Sequence, residues 1–90
     1  MANEKDLTYL TFPCEFPIKI MGKADLGFQA LALEIIRKHA PNLSEGAIET
    51  RYSKDKNYIS LTVTINATSK AQLDAIYKEL HEHEKVMIVL

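Results

Sequence analysis

Four side chains in this sequence could support nucleophilic, acid–base or metal chemistry. Cys14 is the one thiol, and the three histidines are His39, His81 and His83. A catalytic thiol needs a neighbouring base to lower its pKa, but the histidines are distant in sequence and fall at predicted helix ends. His81 and His83 are two residues apart, so on a helix their side chains diverge too far to share a metal ion. We therefore predict no catalytic residues, no metal site and no cofactor, and expect that the chain is not an enzyme.

The segment between the first predicted strand and the first predicted helix is the best candidate for a small-ligand site. It contains Gly22, Lys23, Asp25 and Gly27. Glycines let backbone N–H groups approach a ligand closely, and a helix N-terminus favours an anionic group. Because the glycines are isolated, they do not form a Walker-type or dinucleotide-binding motif. The alternative is an ordinary tight turn without a ligand.

Composition narrows the class of protein. The 90 residues are 47% hydrophobic and 26% charged, with a net charge of −1, which predicts one folded domain without a broad basic surface. We expect a polar tail and docking segment over residues 1–11 and a single domain over residues 12–90. The sequence shows no secretion signal and no apolar run long enough for a bilayer, and its lone cysteine fits a reducing compartment. These features predict a cytoplasmic protein without membrane partners.

Hydrophobic periodicity predicts the elements that position these residues. Pro13 and Pro17 oppose a helix near the start. Asp25 is the predicted N-cap of the first helix and Ser69 that of the second, where a capping-box pattern begins. In chain order, the predicted elements are a strand at 16–21, a helix at 25–40, a loop at 42–46, a strand at 48–52, a turn at 53–57, a strand at 58–66, a helix from 69 and a strand at 86–90.

The third predicted strand has two chemically distinct faces. Its odd-numbered residues from 59 to 65 are apolar, and its even-numbered neighbours carry hydroxyl or amide groups. Two helices stacked on the apolar face give an α+β, ferredoxin-like βαββαβ sandwich with an antiparallel sheet in the order 4-1-3-2. The opposite face of the sheet would then be open. Its candidate interaction residues are Lys19, Arg51, Tyr58, Ser60, Thr62 and Thr64.

A second apolar stripe on the first helix predicts another contact surface. It consists of Leu26, Ala30 and Leu33, on the side opposite the predicted core face. Together with a last strand that is apolar on both faces, it predicts a homodimer or a protein partner. The alternative is that the N-terminal segment at 7–10 folds over this surface.

RNA binding is worth comparing because the RNA-recognition module shares this topology. That module stacks bases on several aromatic rings of its central strands. Here Tyr58 is the one ring at such a position, while Ser60 and Thr62 occupy the others. We therefore predict no nucleic-acid partner.

Several longer strings carry a family resemblance. They are Phe12-Pro13-Cys14-Glu15-Phe16-Pro17-Ile18-Lys19-Ile20-Met21-Gly22, Asn57-Tyr58-Ile59-Ser60, Ile65-Asn66-Ala67-Thr68, residues 72–80 and residues 86–90. In these the chain resembles the YbeD-like family of small, uncharacterised bacterial proteins. The resemblance implies a fold similar to ACT regulatory domains, which bind amino acids or similar effectors at a dimer interface. Asp25-Leu26-Gly27 loosely matches the Asp-x-Pro-Gly-Leu turn of that group, without its proline and with a displaced glycine.

Two functions remain open at this point. One is a non-catalytic, ACT-like regulatory or small-ligand-binding module that acts in trans, with Gly22, Lys23, Asp25 and Gly27 at the effector site and a second copy as partner. The other is a protein-interaction adaptor that uses the open sheet face.

Overall fold

The computed structural model describes residues 10–90, so residues 1–9 of the predicted tail lie outside the described residues. The sheet is antiparallel, in the order β2-β3-β1-β4, which is the predicted order read from its other edge. The ferredoxin-like α+β prediction is therefore confirmed. The elements are β1 (Cys14–Lys23), α1 (Phe28–His39), a short 3₁₀ helix (Glu45–Ala47), β2 (Ile48–Tyr52), β3 (Tyr58–Ala67), α2 (Lys70–Glu82) and β4 (Val86–Val89).

The central pair of strands determines which side of the sheet is buried. β1 and β3 pair along their whole lengths, from Cys14 opposite Ala67 to Lys23 opposite Tyr58. Side chains alternate between faces along a strand, so one face of this ladder presents only apolar groups. Both helices pack on that face, and the predicted inward direction of the apolar residues is confirmed. Its members with no exposed surface are Ile18, Ile20, Leu61, Val63 and Ala67.

The helices add apolar side chains to the same core. The buried side chains of α1 are Phe28, Ala32, Leu33, Ile35 and Ile36, and those of α2 are Leu73, Ile76 and Leu80. Burying one large apolar side chain contributes roughly 1.5–3 kcal/mol, so this shared layer is the main favourable term holding the helices to the sheet. Leu10 and Phe12 are partly buried against the same core.

The start of α2 agrees with the sequence pattern. Ser69 is its N-cap, and the Ser69 Oγ accepts a hydrogen bond from the Gln72 N–H at 3.1 Å. The Gln72 side chain reaches one residue further back than in a standard capping box, where Oε1 accepts from the Thr68 N–H at 2.7 Å. The amide of Gln72 also donates to the His39 carbonyl at 2.8 Å. The cap therefore ties the start of α2 to the end of α1.

The segment from the end of β1 to the start of α1 corrects two predictions. Gly27, with φ of 92°, is the N-cap, and no side chain caps the helix. Asp25, the predicted N-cap, instead contributes its carbonyl, which accepts from the Phe28 N–H at 3.2 Å. Gly22 was expected to end the first strand, but β1 continues to Lys23 because β3 offers backbone partners as far as Tyr58.

The predicted surface stripe and loop also change. Leu33 is only 8% exposed and belongs to the core, so the stripe is reduced to Leu26 and Ala30, both of which are exposed. Leu33 is buried because the apolar face of α1 includes more than one residue in each helical turn. The segment predicted as a loop at 42–46 overlaps the 3₁₀ helix Glu45–Ala47.

Close packing at position 22 requires a glycine, and this predicts the effect of a substitution there on the free energy of unfolding. A Cβ at Gly22 would lie 2.3 Å from Cε1 of Phe28 and 2.7 Å from the carbonyl oxygen of Lys85. We expect Gly22→Ala to lower the free energy of unfolding by about 1–3 kcal/mol, since ring and backbone would both have to move. Gly46 is the matched control, because a Cβ there meets nothing within 4 Å. Urea denaturation of both variants checks this, and equal stability of the two would contradict it.

An ion cluster between the helices predicts a pH dependence. The Glu79 carboxylate accepts from Lys38 Nζ and lies 2.9 Å from Nε2 of His39. Hydrogen bonds from Lys38 first, and then from His39, hold the pKa of Glu79 below its ordinary value. A lowered folded-state pKa stabilises above the unfolded pKa, and that stabilisation is lost as pH falls through the folded value.

We therefore expect Glu79→Gln to reduce the loss of stability between about pH 5 and pH 3. Denaturant midpoints measured across this range are the test, with Glu34→Gln, an exposed position on α1, as the control. If both variants follow the parent protein's pH profile, the cluster does not contribute.

Candidate functional site

The turn before α1 brings the four predicted ligand residues together. Gly22 is buried against Phe28, and Lys23 is the exposed last residue of β1. The Asp25 N–H donates to the Lys23 carbonyl at 2.8 Å, and Asp25 Oδ2 lies 3.7 Å from Nζ of Lys85. The positive φ of Gly27 closes the turn. Local packing and backbone geometry therefore account for both glycines, and a ligand at this turn stays a prediction.

The outer side of α1 carries the reduced apolar stripe. Leu26 is fully exposed and lies just before the helix. A shallow concavity of about 920 Å³ runs along Ala30 and the edge of Leu33, bordered by charged side chains including Arg37. This surface has much less apolar area than the sequence pattern predicted, because Leu33 contributes mainly to the core.

The open face of the sheet has a definite layout, set by the strand registers. Here "open face" means the sheet surface opposite α1 and α2. Pairs that face each other directly lie about 4.5–5.5 Å apart at Cβ. Five rows cross the face: Glu15 with Asn66; Pro17 with Thr64; Glu49, Thr62, Lys19 and Leu90; Arg51, Ser60, Met21 and Ile88; and Tyr58 with Lys23.

Three cations lie on the open face between its middle row and the β2–β3 hairpin. They are Lys19, Lys23 and Arg51, and we call them the basic cluster. None of them forms an ion pair with an acid within 4.0 Å among residues 10–90. Tyr58 lies directly beside Lys23 and is 44% exposed. The cluster therefore combines positive charge with an accessible aromatic ring.

An apolar margin borders the basic cluster along β1 and β4. Ile88 and Leu90 are exposed, and Met21 is partly buried beside Ile88. The margin is fixed by backbone bonds, because Lys19 and Leu90 exchange N–H···O contacts at 3.1 and 2.8 Å. The open face therefore offers apolar and cationic contacts side by side.

The β2–β3 hairpin at the border of this face is ordered by its own side chains. Asp55 accepts from the Ser53 hydroxyl at 2.7 Å and from the Asn57 N–H at 3.1 Å. The bond from Ser53 first, and then that from the backbone of Asn57, holds the pKa of Asp55 below its ordinary value. Lys56 adopts a positive φ of 63° in this turn. The carboxylate is thus committed to the turn and does not neutralise the basic cluster.

A second concavity lies at the opposite end of the sheet. It measures about 880 Å³ and is bordered by the loop after α1 and the end of β3. His39, Glu15 and Glu49 are among its lining residues. The His39 ring is engaged with Glu79 of α2, at 2.9 Å from Oε1. A reactive arrangement around this histidine would therefore have to displace an existing contact.

The remaining reactive groups are separated by the fold. Cys14, at the start of β1, is partly buried and packs against the core. His83 caps the end of α2, where its Nδ1 accepts from the Lys85 N–H at 3.1 Å. No group of three or more His, Cys, Asp or Glu side chains is placed to hold a metal ion within residues 10–90.

Sequence reasoning found most of the open face but missed part of the cluster. Arg51, Tyr58 and Lys19 were predicted there, and the register confirms their common face. Lys23 was assigned to the ligand turn instead. The signal that would have placed it was available, since Lys23 continues the period of two through Lys19 and Met21.

The described helices give no indication of a membrane span. Within residues 10–90, neither α1 nor α2 has the length and apolar character that crossing a bilayer requires.

Comparison with known proteins places the chain in a bacterial family. The family described as "Protein of unknown function (DUF493)" matches residues 8–90. A UPF0250 protein of Nitrosomonas europaea is 46% identical over 81 residues, covering 90% of this chain and 93% of the relative. One from Chromobacterium violaceum is 43% identical over 90 residues, covering both chains completely. One from Bordetella pertussis is 42% identical over 81 residues, covering 90% and 89%.

These matches extend across all the strands and helices of the fold, and they confirm the predicted resemblance to a family of small uncharacterised bacterial proteins. The chain belongs to the family of proteins of unknown function DUF493, whose relatives here carry the UPF0250 name.

Proposed function

We propose that this chain is a non-catalytic binding module that acts in trans and docks an acidic, partly apolar segment of a partner protein on its open face. The observation that carries the proposal is the basic cluster of Lys19, Lys23 and Arg51. Its cations have no acidic partner within 4.0 Å among residues 10–90 and lie beside an exposed tyrosine and an apolar margin. Complementary charge steers association, and aromatic side chains anchor it.

The placement of ionisable groups supports a binding role over a catalytic one. Groups with shifted pKa values tend to mark active sites when they share a cleft. Here Asp55 lies in the hairpin, and Lys78 and Glu79 are neighbours on α2 with different partners: Lys78 bonds to Glu82, and Glu79 to Lys38 and His39 of α1. Burial raises the pKa of Tyr77, whose hydroxyl donates to the Leu90 carbonyl at 3.1 Å. These groups thus have structural partners, and we place function on the open face.

A regulatory, ACT-like role with a small effector at the turn is the second candidate. The convergence of Lys23 and Asp25 with the two glycines in one turn favours it. With this role we also propose a cytoplasmic location, because a lone cysteine fits a reducing compartment. Lys23 is common to both sites, because it ends β1 and also faces Tyr58. The two candidates differ in which backbone amides a ligand perturbs.

The first test follows amide shifts of the labelled protein by NMR. The probe is a synthetic peptide rich in Glu and Leu, compared with a peptide in which Lys replaces Glu. We expect shifts at Lys19, Ser60 and Thr62 with the acidic peptide, weakened by added salt because exposed charges are screened. Equal shifts with the basic peptide, or shifts confined to the helices, would contradict docking on the open face.

Charge reversal sharpens this test. We expect Lys19→Glu with Lys23→Glu to weaken binding of the acidic peptide by roughly tenfold or more, since two attractions become repulsions. The matched control is Arg37→Glu with Lys70→Glu, which changes net charge equally at exposed helix positions. Loss of affinity of the same size in both double variants would show a net-charge effect and refute a local site.

A parallel titration with free amino acids tests the effector site. If the turn binds an effector, amide shifts should concentrate at residues 22–28 and leave Thr62 unchanged, because Thr62 lies in the middle of the open face. Gly46→Ala serves as a control for nonspecific change. No shift in residues 22–28 at millimolar amino acid would remove the regulatory candidate and leave the open face as the proposed site.

A further inference from the structure

The outer side of β2 has free hydrogen-bonding groups. Residues of an antiparallel edge strand point their N–H and C=O groups alternately toward the neighbouring strand and away from it. The Ser53 N–H bonds to the Tyr58 carbonyl at 2.9 Å, so the odd-numbered residues of β2 face β3. The backbones of Thr50 and Tyr52 therefore face outward. Ile48 presents only its carbonyl, since its N–H is bonded within the preceding 3₁₀ helix.

The side chains of β2 are complementary to themselves. Glu49 and Arg51 flank Thr50 on the open face, and neither forms an ion pair among residues 10–90. A two-fold axis at Thr50 places each Glu49 opposite Arg51 of a second copy. If one strand shifts by two residues relative to the other, Glu49 lies opposite Glu49 of the second copy in one direction, and Arg51 opposite Arg51 in the other direction. Like charges directly opposite each other are destabilising. Charge therefore selects one register of self-pairing.

We propose that two copies of this chain associate through β2, antiparallel about Thr50, to form one continuous sheet. Each Thr50 N–H donates to the Thr50 carbonyl of the other copy, and each Tyr52 N–H donates to the Ile48 carbonyl of the other copy. Because the symmetry is two-fold, the interface closes on itself and stops at a dimer. The occupant of this edge is thus a second copy of the chain.

The helix side of β2 adds apolar contacts to the same register. Tyr52 is 58% exposed, and Ile48 is partly buried. In the register centred on Thr50, each Tyr52 lies opposite Ile48 of the other copy, and an aromatic side chain opposite a β-branched one is a favourable cross-strand pair. Arg51 then faces Glu49 of the other copy, while Lys19 and Lys23 remain available to an acidic partner. Self-pairing of β2 thus uses Arg51 of the basic cluster, but it does not require the docking function to be correct.

Sedimentation velocity over a range of concentrations tests the dimer. We expect a dimer whose population rises with concentration. A parent protein that remains a monomer at millimolar concentration would overturn the proposal. Thr50→Pro removes the central donor at a position where an edge strand tolerates proline, and we expect it to be monomeric with an otherwise unchanged amide spectrum.

Charge reversal gives a test that does not alter the backbone. Glu49→Arg sets two arginines against each other at both cross-strand pairs, and Arg51→Glu sets two glutamates against each other there. Each variant alone should therefore dimerise roughly tenfold or more weakly. In a heterodimer of the two variants, one copy carries two arginines and the other two glutamates, so every pair is again of opposite charge. The mixture should form heterodimers as strongly as the parent protein dimerises.

The controls are Glu34→Arg and Arg37→Glu, which make the same charge changes on exposed positions of α1. We expect both to dimerise like the parent protein. A dimer that survives Thr50→Pro and both β2 charge reversals would show that another surface is used. A mixture of the two β2 variants that stays monomeric would equally overturn the pairing.

Discussion

The full-length pairing of β1 with β3 is the constraint on which the rest of the structure depends. Ten consecutive residues of each strand are in register, so the pleat sorts every side chain of the central ladder onto one of two faces. The apolar face, with Ile18 and Leu61 fully buried, accepts both helices. Within residues 10–90 the chain has no third α-helix to cover the other face, so the polar side chains of the ladder lie on an open surface.

The same ladder explains why the basic cluster is concentrated. Lys19 and Lys23 are four residues apart on β1, and therefore share a face. Arg51 joins them because β2 pairs with β3 at Ser60, directly across from Met21. Of the acidic groups near these cations, Asp55 is held in the hairpin, and Glu49 lies on the same face as Arg51 but forms no ion pair among residues 10–90. The positive charge of this face thus follows from the strand registers, although the whole chain has a net charge of −1.

Period-two and helical patterns predicted the fold because burial depends on them directly. The two faces of β3 and the cap at Ser69 follow from side-chain type alone. The start of α1 was not predictable in this way, because the N-cap at Gly27 depends on a positive φ and Asp25 uses its backbone. Leu33 was assigned to a surface for a similar reason, since its burial depends on how α1 is rotated against the sheet. The role of Gly22 required knowledge of the distant Phe28 ring and the Lys85 carbonyl.

The two edges of the sheet differ in how they resist further pairing. Where β4 pairs with β1, the register shifts between Met21 and Gly22 of β1. Met87 of β4 is therefore an extra, exposed residue. Such a bulge interrupts the regular spacing that another strand would need. β2 carries no such irregularity in its pairing with β3, and its charges alternate in sign about Thr50. Charged side chains on natural edge strands discourage pairing with another chain. In β2, the order of Glu49 and Arg51 makes these charges attract each other in one antiparallel register. An edge that rejects displaced registers and accepts a symmetric one is suited to a specific dimer and resists open-ended aggregation.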